Sequence, residues 1–104
     1  MSNNFGLPER TINEILDYFK TKSEIEKVVI YGSRAKGTFH NGSDIDFAIW
    51  IKNGNISSIA DDLNELQTPF KFDVVNYNSI THQGLKNSID NDGIIFYLIH
   101  KELS

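Results

Sequence analysis

The sequence predicts a small α/β (α+β) protein in which a mixed β-sheet packs against helices. Two observations favour this class. Amphipathic helical patterns alternate along the chain with short runs of β-branched and aromatic residues. A helical pattern long enough for a crossover connection also separates the second strand from the third, so these two strands are expected to be parallel.

Length and composition predict a single domain over residues 1–104, with residues 1–6 frayed. The chain has 104 residues, close to the ~100–150 that are typical of one domain. Its 39% hydrophobic and 23% charged residues are typical of a globular protein rather than a disordered one.

Charge and cysteine content exclude several classes of function. The formal net charge of −4 argues against a surface that neutralises the phosphates of a duplex, so direct DNA binding is not expected. The absence of cysteine excludes disulfides, thiolate zinc sites and cysteine nucleophiles. No apolar run approaches the ~20 residues of a membrane span and no signal peptide is recognisable, so we expect a cytoplasmic protein without membrane contact.

The first third of the chain predicts one helix followed by one strand. Pro8 suits a first helical turn, and the apolar spacing of i, i+3, i+4 and i+7 predicts a helix over about 8–22. The residues with this spacing are Ile12, Ile15, Leu16 and Phe19. Residues 27–31 are β-branched and aromatic, form a run too short for a helix and end at Gly32, which predicts a buried strand.

A helical turn and a second strand follow. Ser33 is placed to cap one helical turn that Gly37 ends. Residues 44–51 alternate between two kinds of side chain, which predicts a strand with two distinct faces. One face carries Ile45, Phe47, Ile49 and Ile51, and the other carries Asp44, Asp46, Ala48 and Trp50.

The second half of the chain predicts a helix over 56–67, which ends before Pro69. A third strand is predicted over 70–77 and a further helix over 79–88. The apolar run 93–99 fits either a strand or a buried helical turn.

Three carboxylates stand where hydrophobic periodicity does not require them. Asp44 and Asp46 open the second strand and point the same way, about 6–7 Å apart at the backbone, so both carboxylates can reach one divalent cation. If the second and third strands are parallel neighbours, Asp73 lies at the same end of the sheet. Three like charges packed together are unfavourable without a cation, which predicts a metal site.

The first strand ends in a loop that suits a phosphate. Gly32 allows close approach of backbone amides to a ligand, and Ser33 adds a hydroxyl donor. Arg34 and Lys36 add positive charge on the same turn. If this loop belongs to the carboxylate site, the first strand must run antiparallel to the second. Together these are the parts that phosphoryl or nucleotidyl transfer requires.

Two aromatic residues lie on the carboxylate side of their strands. Trp50 and Tyr77 could stack on a nucleobase, but the favoured interpretation of such large side chains is that they pack under a helix.

A known family shares these motifs. Gly32-Ser33, followed after ten residues by Asp44-Ile45-Asp46, with Asp73 on a later strand, resembles the signature of the DNA polymerase beta-like nucleotidyltransferase superfamily. Within it, the chain resembles the minimal nucleotidyltransferases, an antitoxin type often encoded beside a HEPN-domain partner. The similarity extends from about Pro8 to the 93–97 segment, and it implies the polymerase beta-like fold.

The resemblance also implies roles for individual residues. Gly32 and Ser33 would hold the nucleotide phosphates, and Arg34 and Lys36 match basic, nucleotide-binding positions less strictly, Lys36 standing where many relatives have Arg. The carboxylate cluster would bind two Mg²⁺ ions and carry out catalysis. In it, Asp44 and Asp46 bind the metal, and Asp73 helps to activate the attacking hydroxyl.

The activity implied by the resemblance is transfer of AMP from ATP to a hydroxyl. The implied acceptor is a tyrosine of a HEPN-type toxin, so that AMPylation silences the toxin and the chain acts as an antitoxin. Two alternatives stay open: a stoichiometric antitoxin that acts by binding alone, and a small-molecule transferase similar to the aminoglycoside nucleotidyltransferases. The latter carry an extra helical domain, which a homodimer could replace.

Overall fold

The computed structural model describes residues 4–99. In this part of the chain the helices are α1 (Glu9–Lys20), α2 (Ser33–Lys36), α3 (Ile56–Asn64) and α4 (Gln83–Asp92). The strands are β1 (Ile25–Tyr31), β2 (Ile45–Ile51), β3 (Phe72–Asn76) and β4 (Ile94–Leu98), and a 3-10 turn covers Tyr77–Ser79. None of the helices within residues 4–99 is long and apolar enough to cross a membrane.

The four strands form one mixed sheet in the order β3-β2-β1-β4. β2 and β3 are parallel, and α3 connects them, as a crossover requires. β1 is antiparallel to both β2 and β4. The mixed sheet, the parallel pair and the reversed direction of β1 are therefore confirmed.

The two faces of the sheet are buried by different helices. On one face, α1 and α3 cover the apolar side of β2, where Phe19 and Phe47 meet edge to face with ring centroids 5.5 Å apart. On the other face, Ile89 of α4 packs against Val29 and Ala48. This division follows from the alternation along β2, which sends its isoleucine and phenylalanine side chains to the first face and Asp46 to the second.

Several predicted elements change in extent. The helix predicted over 79–88 begins only at Gln83, because a 3-10 turn first occupies Tyr77–Ser79. The run 93–99, which fitted two structures, forms the edge strand β4. Ser33 does not cap α2. Gly32 holds the capping position with a φ of 75°, and no side chain caps the helix.

The N-terminal segment differs from the expectation that residues 1–6 are frayed. Phe5 is buried in the main core, with its ring 5.9 Å from that of Phe96. The Phe5 carbonyl also accepts a hydrogen bond from Arg34. The expectation is therefore wrong for residues 4–6, and residues 1–3 lie outside the described part of the chain.

Candidate active site

Strand register brings two of the predicted carboxylates together at one end of the sheet. Asp46 of β2 stands opposite Asp73 of β3 in the parallel ladder. Asp44 directly precedes β2 and, two residues before Asp46, faces the same way. Asp44 and Asp73 are exposed, whereas Asp46 is half-buried between them. The structure thus places the carboxylates at an end of the sheet that is open to solvent.

The electrostatics of Asp46 show how these carboxylates influence one another. Burial raises the pKa of Asp46 to about 6, and the negative charges of Asp73 and then Asp44 add to this effect, while Arg34 opposes it. Ionised Asp46 is therefore disfavoured without a counter-charge. A divalent cation would supply that charge, and carboxylate oxygens are the ligands that Mg²⁺ prefers.

In their present side-chain conformations, the three carboxylates do not form a metal-binding group. Within residues 4–99, no three or more His, Asp or Glu side chains are arranged as a metal-holding group. The donor set of Asp44, Asp46 and Asp73 and the raised pKa of Asp46 fit a cation. Convergence of all three carboxylates on it would require side-chain rotation.

Gly32 lies so close to the Asp46 carboxylate that the position has no room for a side chain. A Cβ atom at this position would lie 2.5 Å from Oδ2 of Asp46, and the φ of 75° is one that L-residues rarely adopt. The absence of a side chain thus makes room for the Asp46 carboxylate. Ser33 follows at the start of α2 and is half-buried.

The environment of Arg34 contradicts the prediction that this side chain contacts a phosphate. Its side chain is only 2% exposed, and its guanidinium donates hydrogen bonds to the carbonyl oxygens of Phe5 and Ser43. Burial lowers the pKa of Arg34, and the nearby carboxylates of Asp44 and Asp46 partly offset that effect. Arg34 is therefore a buried structural cation beside the carboxylates, because its donors are directed at the backbone rather than at solvent.

Lys36 occupies a different environment on the same helix. Its side chain is exposed, and its Nζ lies 3.7 Å from the Oδ2 atom of Asp92 at the end of α4. A surface ion pair of this kind is easily exchanged for a ligand. Lys36 therefore keeps the accessibility that a phosphate contact needs, which Arg34 lacks.

Tyr31 is a residue of this site that sequence reasoning missed. It pairs with Asp46 across the antiparallel ladder, so a row of Tyr31, Asp46 and Asp73 crosses three strands on one face. Burial raises the pKa of Tyr31 to about 12, with further contributions from the charges of Asp46 and Asp73. The signal was its position directly before Gly32, combined with the antiparallel pairing of β1 and β2.

Comparison with known families decides the classification. The family model described as "Polymerase beta, Nucleotidyltransferase" matches residues 13–102. The chain belongs to this polymerase beta nucleotidyltransferase family. The match covers most of the chain of this nucleotidyltransferase, including every carboxylate of the candidate site, and it confirms the resemblance inferred from the motifs. No curated protein matches the sequence.

Solved structures agree with the fold of this nucleotidyltransferase. A toxin–antitoxin with AMP-PNP aligns with a TM-score of 0.61 and 21% identity, over 89% of this chain and 75% of that chain. The toxin–antitoxin MntA-HepT aligns with a TM-score of 0.65 and 18% identity, over 88% and 74%. A protein from Sulfolobus solfataricus assigned as a nucleotidyltransferase aligns with a TM-score of 0.54 and 22% identity, over 86% and 78%.

The aromatic pair Trp50 and Tyr77 lies away from the carboxylates of this nucleotidyltransferase. Trp50 is near the opposite end of β2 from Asp46, and its ring stacks on Tyr77 with centroids 4.1 Å apart. Lys27 and Lys86 flank the stack, and the Tyr77 hydroxyl donates a hydrogen bond to Asp90 of α4. The rings thus pack on each other and on α4, as the favoured interpretation held.

Proposed function

We propose that this chain is an Mg²⁺-dependent protein adenylyltransferase that transfers AMP from ATP to a hydroxyl and acts as an antitoxin. The observation that carries the proposal is the meeting of Gly32, Asp46 and Asp73 at one open end of the sheet. Family membership supports nucleotidyl transfer as the reaction. The proposal treats residues 1–104 as a single catalytic domain that works in the cytoplasm, where ATP is abundant.

In this proposal the carboxylates and the glycine loop have separate tasks. Asp44 and Asp46 hold the metal, with Asp73 completing the cluster, and the bound Mg²⁺ ions neutralise charge on the phosphates. The backbone amides after Gly32 and the Ser33 hydroxyl bind phosphate oxygens, and Lys36 is available to add positive charge. These groups orient the α-phosphate for in-line attack.

In this proposal Asp73 receives the proton of the acceptor. The acceptor oxygen forms a bond to the α-phosphorus, while the bond between that phosphorus and the oxygen bridging to the β-phosphate breaks. Pyrophosphate leaves, and the hydroxyl proton passes to Asp73. Since Asp73 is exposed, an acceptor on the surface of another protein can approach it.

The proposed acceptor is a tyrosine of a HEPN-type toxin, and its AMPylation would silence the toxin. Two of the matched structures are toxin–antitoxin assemblies, and one of them contains AMP-PNP, an ATP analogue. These likenesses support a toxin partner and ATP as the nucleotide. Because Asp44 and Asp73 are exposed, a tyrosine on the surface of another protein can reach them.

Transfer of label from ATP tests the proposal. The chain is incubated with ATP labelled at the α-phosphate, Mg²⁺ and a HEPN-type toxin encoded beside it, and the modified residue is identified by mass spectrometry. We expect transfer to a toxin tyrosine that Asp44→Asn/Asp46→Asn abolishes. Asp61→Asn, which removes an exposed acid on α3, is the matched control and keeps full transfer. Lack of transfer by the wild type would refute the reaction.

The same variants separate catalysis from binding. If the Asp44→Asn/Asp46→Asn protein still neutralises the toxin at equal dose, the chain acts as a stoichiometric antitoxin instead. If label instead passes to a small molecule such as an aminoglycoside and none to the toxin, the acceptor class is wrong.

A further inference from the structure

We infer that Arg34 is a positioning residue that fixes Asp44 for metal binding through the peptide that precedes it. This inference rests on the proposed function in one respect, namely that Asp44 holds the metal. In this inference the buried Arg34 side chain holds the backbone beside Asp44. The N-terminal segment contributes to the site because it binds the same guanidinium.

The backbone before Asp44 is fixed by a two-pronged contact. The Nε and Nη2 atoms of Arg34 both donate to the Ser43 carbonyl oxygen, at 3.2 and 2.9 Å. Ser43 is the residue immediately before Asp44 in the chain. Two charge-assisted donors on one acceptor hold the carbonyl oxygen of that peptide group in place.

The backbone after Asp44 is fixed as well. The amide of Ile45 donates to the carbonyl of Lys71, at 2.9 Å, where β2 begins to pair with the β3 side of the sheet. The Asp44 side chain itself is exposed. Because side-chain packing does little to hold an exposed carboxylate, its location depends on the anchored peptides on either side of it.

Two aromatic rings hold the guanidinium in place. The rings of Phe39 and Phe70 each lie with their centroids 5.1 Å from the Arg34 guanidinium carbon. A planar guanidinium offers both a fork of donors and flat faces for stacking. A lysine offers only a point charge on a flexible stem, so it cannot reproduce the contact.

A third hydrogen bond of the Arg34 guanidinium reaches the N-terminal segment. Nη1 of Arg34 donates to the Phe5 carbonyl at 2.9 Å, in a buried contact between residues 29 positions apart. Phe5 lies outside residues 13–102, the part of the chain that the family model matches. Arg34 thus links the N-terminal segment, which the family model does not match, with the loop that presents Asp44.

Metal binding by Arg34→Lys tests the inference without depending on transferase activity. Mn²⁺ is titrated into wild type and variant and followed by electron paramagnetic resonance. We expect the variant to bind Mn²⁺ about 10-fold more weakly or worse, the range typical for loss of a group that orients a metal ligand. Tyr18→Phe is the control for general destabilisation, because it removes only the Tyr18–Asp62 hydrogen bond between α1 and α3. It should leave Mn²⁺ affinity unchanged.

A milder variant keeps the test decisive if Arg34→Lys does not fold. Phe39→Leu removes one stacking face and retains the three hydrogen bonds. We therefore expect it to lower Mn²⁺ affinity by only about 3-fold, less than the ~10-fold or more expected when the orienting group itself is lost. A folded Arg34→Lys protein, or Phe39→Leu in its place, that binds Mn²⁺ as tightly as wild type would overturn the inference alone. Wild type that binds no Mn²⁺ would overturn it together with the proposed metal-dependent reaction.

Discussion

Replacement of Asp46 by Asn is expected to stabilise the metal-free protein while abolishing transfer. Asp46 is half-buried at the start of β2, with Asp73 and Asp44 nearby, and its pKa is raised to about 6 from an ordinary 3.8. Ionising this group at neutral pH therefore costs free energy in the folded state that the unfolded chain does not incur. An asparagine of the same shape carries no charge and avoids that cost.

The size of the effect follows from the shift. A difference of about 2 pKa units corresponds to about 3 kcal/mol at ~1.4 kcal/mol per unit. Because Asp46 is only half-buried, solvent screening reduces this figure, and we expect a gain of about 1–2 kcal/mol in the free energy of unfolding. For a domain of this size that corresponds to a rise in Tm of about 5–10 °C.

The pH dependence gives a second signature of the same group. The folded state binds this proton more tightly than the unfolded state, so wild-type stability falls as the pH rises from about 3.8 to about 6 and stays low above that. The Asn variant lacks this component of the pH dependence. The advantage of the variant should therefore appear at pH 7 and vanish below pH 3.8.

Thermal denaturation followed by circular dichroism, with EDTA and with added Mg²⁺, measures these effects. Mg²⁺ should raise the Tm of the wild type and leave that of Asp46→Asn nearly unchanged. Asp61→Asn, at an exposed position, controls for the change in net charge. An Asp46→Asn protein that is no more stable than wild type in EDTA at pH 7 would refute the electrostatic reasoning.

Three further substitutions test other parts of the structure. Gly32→Ala should cost about 1–2 kcal/mol, since a Cβ at a φ of 75° meets the Asp46 carboxylate; chemical denaturation measures this, and a neutral result would contradict the contact. Phe47→Ala should lower the free energy of unfolding by about 3–5 kcal/mol, because the fully buried Phe47 ring joins α1 to the sheet. Most of the cooperative thermal unfolding transition should then be lost. Lys36→Ala should change stability by less than about 0.5 kcal/mol but raise the KM for ATP, whereas Asp92→Asn should leave KM unaltered; equal KM values for Lys36→Ala and wild type would remove Lys36 from the nucleotide site.

Much of the sheet could be predicted because strand β2 carries a clear pattern. Its alternation assigned Phe47 and Ile49 to one face and Asp46 to the other, and the crossover length of α3 set the direction of β3. β4 could not be assigned because its sequence does not alternate. A register shift opposite Val28 and Val29 interrupts its pairing, and Ile95 and Leu98 remain 56% and 60% exposed at the sheet edge.

The positions of the candidate side chains could be predicted where local spacing decides the geometry, and could not where distant contacts decide it. The spacing within Asp44-Ile45-Asp46 and the parallel register bring Asp46 and Asp73 together. Nothing local shows that Arg34 is buried, because its acceptor Phe5 lies far away in the sequence and was expected to be frayed. Tyr31 was overlooked for the same reason, since its neighbour Asp46 is set by strand pairing.

The antiparallel pairing of β1 with β2 has a consequence for the order of folding. The glycine loop and the first two carboxylates, Asp44 and Asp46, all belong to this one hairpin and its connection. Contacts that are close in sequence form faster than distant ones. The phosphate-binding and metal-binding groups can therefore assemble from one local event, while Asp73 joins them only after α3 has carried the chain across the sheet.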